Sequence, residues 1–357
     1  YKVFNDWADS LSAYGIDEIT GNLIGDDNAF DDVGLGTGWA WDYESDWFAA
    51  QSSALSFNDN CVDVTVSINR KTNLPVVSIQ PKTKYIVIVN NVLPVSKDSA
   101  TAINVYRERG TNVLTVYGTI REDDSVKTFV TVNNPTQYTM VILKEVLQKR
   151  GIKVQGFPMD VDDITTSLNY QTMKKLCTTY SPPLKEIIKV INKNSQNFFA
   201  EQLLKTIGLE KEGYGTVANG VKAESKLFKE MGINPESMIL VDGSGLSRLD
   251  YVTPKQFVTL LSFMYKSDYF IPFFNSLSIA GVDGSLGDRL QNTNAKDKIR
   301  GKAGYLEGVR SLTGYAFTAD NEPVAFSIIV NNFNVPVKLA ENIQDLVCLR
   351  LANFKRK

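Results

Sequence analysis

The chain has 357 residues, 43% hydrophobic and 22% charged, with a formal net charge of −2, the composition of a globular protein with two or three domains and at least one large core. The near-neutral charge argues against a nucleic-acid partner or a polybasic membrane contact, and no apolar run approaches the ~20 residues that span a bilayer. There is no histidine, which excludes a Ser-His-Asp triad and a Cys-His dyad and argues against zinc, so a nucleophilic mechanism needs Lys, Asp, Glu or Tyr as its base.

The chain starts at Tyr1 rather than Met, which points to processing or trimming. Cys61, Cys177 and Cys348 are odd in number and widely spaced. They suggest neither a disulfide framework nor a metal pair and read as small buried hydrophobes.

Residues 5–15 read as the end of an amphipathic helix closed by Gly15. IDEITGNLIGDD (16–27) reads as a short strand entering a turn, and GLGTGWAWDYESDW (34–47) as a loop. Its glycines do not make a phosphate cradle, because no GK[ST] and no helix follow them. From 61 to 132 the pattern changes to period two. VDVTVSI (62–68), KYIVIV (84–89), NVLTVYG (112–118) and VKTFVTV (126–132) are strand candidates separated by Asn, Pro and Asp clusters. A helix follows at about 137–150, capped by Asn134 or Thr136 and stopped by Gly151.

Beyond about 165 the chain turns helical. Helices are predicted over 182–193, over 195–208 with Gly208 as its end, and over 216–232. A further helix over 252–266 carries Thr253 as N-cap, Pro254 at its first position and Gln256 at its third. Strands at 298–304, 309–318 and 323–332 read as an antiparallel meander, and an amphipathic helix over 337–353 covers it. VNN recurs at 89, 132 and 330 without matching flanks, so no internal repeat is inferred. Helices, then a meander, then a helix suggest an α+β fold with helices on both faces of an antiparallel sheet.

Three short stretches carry candidate chemistry. Ser195 and Asn197 lie at a helix–helix junction, where a hydroxyl can relay a proton and an amide can both donate and accept; taken alone, Ser195 also reads as a plain helix cap. Lys302, in IRGKAGYLEGVRSLTGY (299–315), sits on a strand followed by small residues, so a peptide-like ligand can add along its edge. The alternative is a solvated lysine that protects an edge strand from aggregation. DGSGLSR (242–248) forms a compact loop that ends in Arg248, a residue suited to gripping a carboxylate, or else a simple connector.

Taken in order, S-x-N opening a helix, DGSGLSR, and K-x-G leading a meander that ends in VNN, the pattern resembles the low-molecular-mass class C penicillin-binding proteins. These are the D-alanyl-D-alanine carboxypeptidase/endopeptidase family of penicillin-binding protein 4. ITGNLIGDDNAF (19–30), GWAWDY (38–43), AAQSSALSFNDN (49–60) and SPPLKEIIKVINKNSQNFFAEQLLK (181–205) extend the resemblance over nearly the whole chain. It is weakest at 61–125. The resemblance implies an α+β penicillin-binding/transpeptidase-like domain at 166–357, with inserted β-rich accessory domains. Residues 1–60 and 126–165 would be the II-like accessory domain, and 61–125 a small III-like insert.

The resemblance also implies a serine-type DD-peptidase, a D-Ala-D-Ala carboxypeptidase, a crosslink endopeptidase or both. It would act by an acyl-enzyme without cofactor or metal. Its partners would be peptidoglycan stem peptides and β-lactams, in the periplasm or cell envelope after export; oligomeric state is left open. Ser195 and Asn197 match the second motif, with Ser195 shuttling protons to the leaving group and Asn197 positioning the substrate amide. Lys302 heads the third motif, with Ala303, Gly304 and Tyr305 along the substrate. Asp26 and Arg248 match positions lining the pocket for the diamino acid side chain, with Trp39 and Trp41 near it.

Two departures stand out. No Ser in this sequence has Lys three residues later, so the S-x-x-K nucleophile motif is missing and is expected upstream of Tyr1, which would leave the chain inactive alone and expose apolar surface. Thr172 and Lys175 have that spacing, but they precede the second motif and Thr is a poor nucleophile. The third motif also carries Ala303 where the family usually has a hydroxyl that bonds the substrate's terminal carboxylate. The lost bond costs roughly 1.5–3 kcal/mol and favours an endopeptidase or a weakened enzyme. A catalytically silent homologue that binds peptidoglycan or an envelope partner is the alternative. A β-lactamase shares the cleft chemistry but needs a deacylating water that no residue here can be assigned to hold.

Overall fold

The computed structural model describes residues 1–356, in two compact units. Unit 1 comprises Tyr1–Leu35 and Trp39–Tyr180; unit 2 comprises Gly36–Gly38 and the chain from Ser181 onward.

Unit 1 opens with α1 (Lys2–Ala13), which buries Phe4 and Ala8, one turn apart, and Gly15 follows it at φ +74°. Where one strand is predicted over 16–27 there are two, β1 (Glu18–Ile19) and β2 (Leu23–Gly25), broken at Thr20-Gly21-Asn22. The loop at 34–47 holds only a 3₁₀ turn at Trp41–Tyr43, with another following at Trp47–Ala49. Then come β3 (Cys61–Ile68), β4 (Pro75–Gln80), β5 (Val87–Val95), β6 (Ala102–Arg107), β7 (Val113–Arg121) and β8 (Ser125–Thr131). β4 and β6 escape the sequence reading; β4 is short and starts on proline, which weakens its signal. The order β4-β3-β8 makes one antiparallel sheet. In the other, β5-β7-β6, β5 runs parallel and β6 antiparallel to β7.

α2 (Pro135–Lys149) is capped by Asn134, whose side chain accepts from the Gln137 N–H. β9 (Lys153–Val154) and β10 (Pro158–Asp160) then pair in parallel with β1 and β2. The alternating Val62, Val64 and Val66 of β3 meet Leu114, Val116 and Ile120 of β7 and Phe4, Tyr138 and Ile142 of the helices in one core. The segments predicted as II-like and III-like therefore share that core. Unit 1 continues to Tyr180. The reason is local: Trp7 Nε1 donates to Thr179 Oγ1 at 2.8 Å, and the Lys174 ammonium lies 5.3 Å from the Tyr14 ring centre.

Unit 2 begins with α3 (Leu184–Asn194), α4 (Asn197–Glu212) and α5 (Val217–Glu230). α4 does not stop at Gly208 as predicted but continues to Glu212, with Gly213 closing it at φ +87°. Gly208 is instead a contact glycine: a Cβ there would lie 2.8 Å from the Thr216 carbonyl oxygen and 2.9 Å from the Gly220 nitrogen, so it lets α5 approach. α6 (Pro254–Tyr265) has the predicted Thr253–Gln256 capping box. α7 (Phe270–Ser276) and the two-residue β11 (Ser278–Ile279) are absent from the sequence reading.

β12 (Ile299–Leu306), β13 (Val309–Phe317) and β14 (Pro323–Asn331) form the predicted antiparallel meander, in the order β11-β12-β13-β14, and α8 (Val337–Ala352) follows. Side chains alternate between the two faces of the sheet. Leu312, Ala316 and Phe326 pack with Cys348 and Ala352 of α8, whereas Tyr315 and Ala325 pack with Leu261 of α6 and Leu277. α8 buries Ala340, Gln344, Cys348 and Ala352 and leaves Leu339, Ile343, Leu346 and Val347 exposed. The three cysteines are free thiols, with Cys61 and Cys348 buried and Cys177 only half-buried. Among the described residues no helix is long and apolar enough to cross a membrane.

Candidate active site

The turn between α3 and α4 is a single tight step. Ser195 ends α3 in the left-handed conformation (φ 54°, ψ 49°), and Asn197 is the first residue of α4. Gln196, not Ser195, holds the N-cap position of α4, and no side chain caps it there; the plain capping role for Ser195 is therefore set aside. A left-handed non-glycine residue costs roughly 1 kcal/mol. That conformation goes with a side-chain contact of high sequence separation, since Lys302 Nζ donates to Ser195 Oγ at 2.7 Å.

Lys302 is brought to that point by β12. It faces Thr313 of β13 across the ladder, and Thr313 in turn shares a 2.7 Å hydroxyl contact with Ser327 of β14. Its ammonium also donates to the Ala303 carbonyl. Lys302 is not a solvated edge lysine. Burial desolvates the ammonium and lowers its pKa to about 8. A lysine in that range can donate to the serine hydroxyl when charged and accept its proton when neutral.

The predicted open edge is partly closed. β11 pairs with β12 at Arg300 and Gly301. Among the described residues no strand pairs with β12 on that side from Lys302 onward.

The other residues of the third motif have separate environments. Ala303 lies on the opposite face from Lys302, against the apolar cluster of Leu312 and Phe326. Gly304 lies opposite Ser311, whose hydroxyl occupies the space a Cβ would need. Tyr305 is 64% exposed, with the Arg310 guanidinium 3.3 Å from its ring centre.

The DGSGLSR loop is more than a connector, because carboxyl groups hold its backbone. Glu201 of α4 accepts from the N–H groups of Gly243 (3.0 and 3.1 Å) and Ser244 (2.8 Å). Asp242 accepts from Gly245 and Ser247 at 2.7 Å each, and Asp250 accepts from Val241 at 2.7 Å. Ser247 Oγ donates to the Thr37 carbonyl at 2.8 Å, which ties residues 36–38 into this unit. Desolvation, then a hydrogen bond to Asp242, raises the Asp250 pKa to about 8. Desolvation, then the charge of Asp242, raises that of Glu201. At the loop's end both Nη atoms of Arg248 donate to the Glu307 carbonyl at 3.3 Å, in the β12–β13 turn.

Ser195, Asn197, Lys302, Ala303, Gly304, Tyr305 and Arg248 thus all belong to unit 2. Asp26, Trp39 and Trp41 belong to unit 1. Asp26 is exposed and accepts from the Asn28 N–H at 3.0 Å, Trp39 is half-buried, and Trp41 is 67% exposed with the Arg109 guanidinium 5.8 Å from its ring centre. Sequence reasoning overlooks Glu201, Asp242 and Asp250. For Glu201 the available signal is its spacing, one helical turn beyond Asn197 on the same face. Among the described residues no group of three or more acidic or thiol side chains is arranged to hold a metal ion.

The family model for the D-Ala-D-Ala carboxypeptidase 3 (S13) family matches residues 2–353. The chain belongs to that family. Among curated S13-like relatives, a D-alanyl-D-alanine carboxypeptidase of Actinomadura sp. (strain R39) is 30% identical over 97% of this chain and 66% of its own length. The carboxypeptidase DacB of Haemophilus influenzae is 26% identical over 91% and 67%. The chain thus spans about two thirds of the length of these relatives. The crystal structure of penicillin binding protein 4 (dacB) from H. influenzae superposes with a TM-score of 0.83 at 24% identity, covering 98% of this chain and 79% of that one. It shares the S13 chain's α+β fold.

Proposed function

We propose that the protein acts as a serine-type DD-peptidase on peptidoglycan stem peptides, through an acyl-enzyme that penicillins also form. The observation that carries this reading is the 2.7 Å contact between Ser195 Oγ and a desolvated Lys302 ammonium. In this reading the pair passes a proton to the departing amine, and the positive charge favours a substrate carboxylate at the head of β12. Asn197 positions the substrate amide, and the edge of β12 from Lys302 to Tyr305 receives the peptide as an added strand. Arg248 is assigned to the diamino acid side chain of the stem peptide. Asp26, Trp39 and Trp41 are assigned to substrate contact by motif match. Family membership supports action outside the cytoplasm, and the periplasm is the compartment we propose. No S-x-x-K spacing occurs in the 357 residues, so the roles assigned here are those of the second and third motifs, and the serine that would be acylated is not among them.

The second reading, a homologue that binds stem peptides without cleaving them, is favoured by one observation: Ala303 offers no hydroxyl to the strand edge. Intact mass of the whole gene product after benzylpenicillin, together with its equilibrium binding of a peptide ending in D-Ala-D-Ala, separates the two. A gain of one drug mass, lost in Lys302→Ala, supports the enzyme. Peptide binding without mass gain supports the binding homologue. Absence of both overturns the reading.

A further inference from the structure

Asn197 and Glu201 are one turn apart on α4, so both side chains leave the same face of the helix. Asn197 belongs to the proposed catalytic motif. Glu201, only 2% exposed, turns to the neighbouring loop and accepts from two consecutive backbone N–H groups, those of Gly243 and Ser244. The loop is drawn close against the helix at this point: a Cβ on Gly243 would lie 2.7 Å from the Ala200 carbonyl oxygen. Asp242 holds the next part of the loop through Gly245 and Ser247, and Arg248 follows at once. The chain of contacts therefore runs from the helix that bears Asn197, through Glu201, to the loop that bears Arg248.

We propose that Glu201 is a positioning residue: it fixes the Arg248 loop relative to Asn197, and so sets selectivity for a diamino acid side chain in the stem peptide. This rests on the role assigned to Arg248 above. A backbone N–H bonded to a buried carboxylate is restrained more strongly than one bonded to a neutral acceptor. Removal of Glu201 would leave both N–H groups without that acceptor, and the loop would open more often.

The test uses the whole chain and two probes, a D-Ala-D-Ala stem peptide with a diaminopimelyl residue and the same peptide with alanine in its place. E201A is expected to speed hydrogen exchange at Gly243 and Ser244 by roughly tenfold or more. It should also cut the affinity ratio between the two peptides by about fivefold or more. E201Q is expected to restore both in part, because one amide oxygen at the Oε1 position can accept from both N–H groups but without the carboxylate's charge. Should E201A fail to fold, E201D carries the same expectation, since it keeps the charge but draws the carboxylate back by one methylene. A preference in the unmutated protein that survives these variants, or an equal weakening of both peptides, would overturn the positioning role alone. Equal affinity of the unmutated protein for both probes would overturn the reading of Arg248 and this proposal with it.

Discussion

Lys302 Nζ lies 2.7 Å from the hydroxyl of Ser195, a residue 107 positions earlier in the chain. The contact joins a strand to a helix–helix turn, and its lysine sits where water cannot fully solvate a charge. The chemistry proposed for the protein depends on that pairing more than on any other.

The first prediction concerns the lysine itself. Its lowered pKa of about 8 means that Lys302 becomes nucleophilic well before surface lysines, which titrate near ~10.4. Pulse labelling with an amine-reactive reagent, read by peptide mass spectrometry across pH 6–11, should give a midpoint near 8 for Lys302. A midpoint near that of the other lysines would remove the desolvation argument. The same shift links to stability with a definite sign. The unfolded chain binds the proton more tightly, so the burial penalty is present below about pH 8 and is relieved as pH rises towards the unfolded value.

Ser195 separates backbone cost from side-chain function. Both Ser195→Ala and Ser195→Gly delete the hydroxyl, but only glycine is at ease at φ 54°. The glycine variant should be more stable than the alanine variant by about 1 kcal/mol in denaturant melts, with both equally defective in peptide turnover when placed in the whole gene product. Equal stability would mean that the turn relaxes on losing the hydroxyl.

Gly208 tests packing against propensity. From helix propensity alone, Gly208→Ala in the interior of α4 should stabilise by about 1 kcal/mol. The close approach of the Thr216 carbonyl and the Gly220 nitrogen reverses that sign. We expect a loss of about 1–3 kcal/mol, measured by thermal or denaturant unfolding. A stabilised variant would show that α5 can move away freely.

Asp250 gives a second pH dependence, in another window. Its folded pKa of about 8 lies above the unfolded value near ~3.9. The native state therefore holds a proton that the unfolded state has released, and this contribution to stability declines as pH rises from about 4 to 8. Asp250→Asn mimics the protonated acid, donating to Asp242 while still accepting from Val241. Its unfolding free energy should fall less than that of the unmutated protein between pH 5 and 8, with a gap of about 1 kcal/mol or more at pH 8. Parallel curves would place the Asp250 proton elsewhere.

The sequence by itself determined the local elements and the candidate motifs. Thr253-Pro254 and Gln256 announce α6 through groups that satisfy the helix's first N–H donors, and the runs rich in β-branched and aromatic residues at 309–318 and 323–332 announce β13 and β14. S-x-N, DGSGLSR and K-x-G were legible because each is a contiguous string. Tertiary structure decided what surrounds those strings. Nothing within a few residues of Gly208 distinguishes a helix end from a helix contact; the choice is made by α5, whose backbone needs the missing Cβ. The two-residue β11 gains its pairing from β12, some twenty residues further along the chain, and is too short for any local periodicity to report it. Ser195 alone could cap a helix and Lys302 alone could face water. Their contact was decided by the fold, because desolvation and a 2.7 Å hydrogen bond depend on which atoms surround a side chain rather than on which residues adjoin it in the chain.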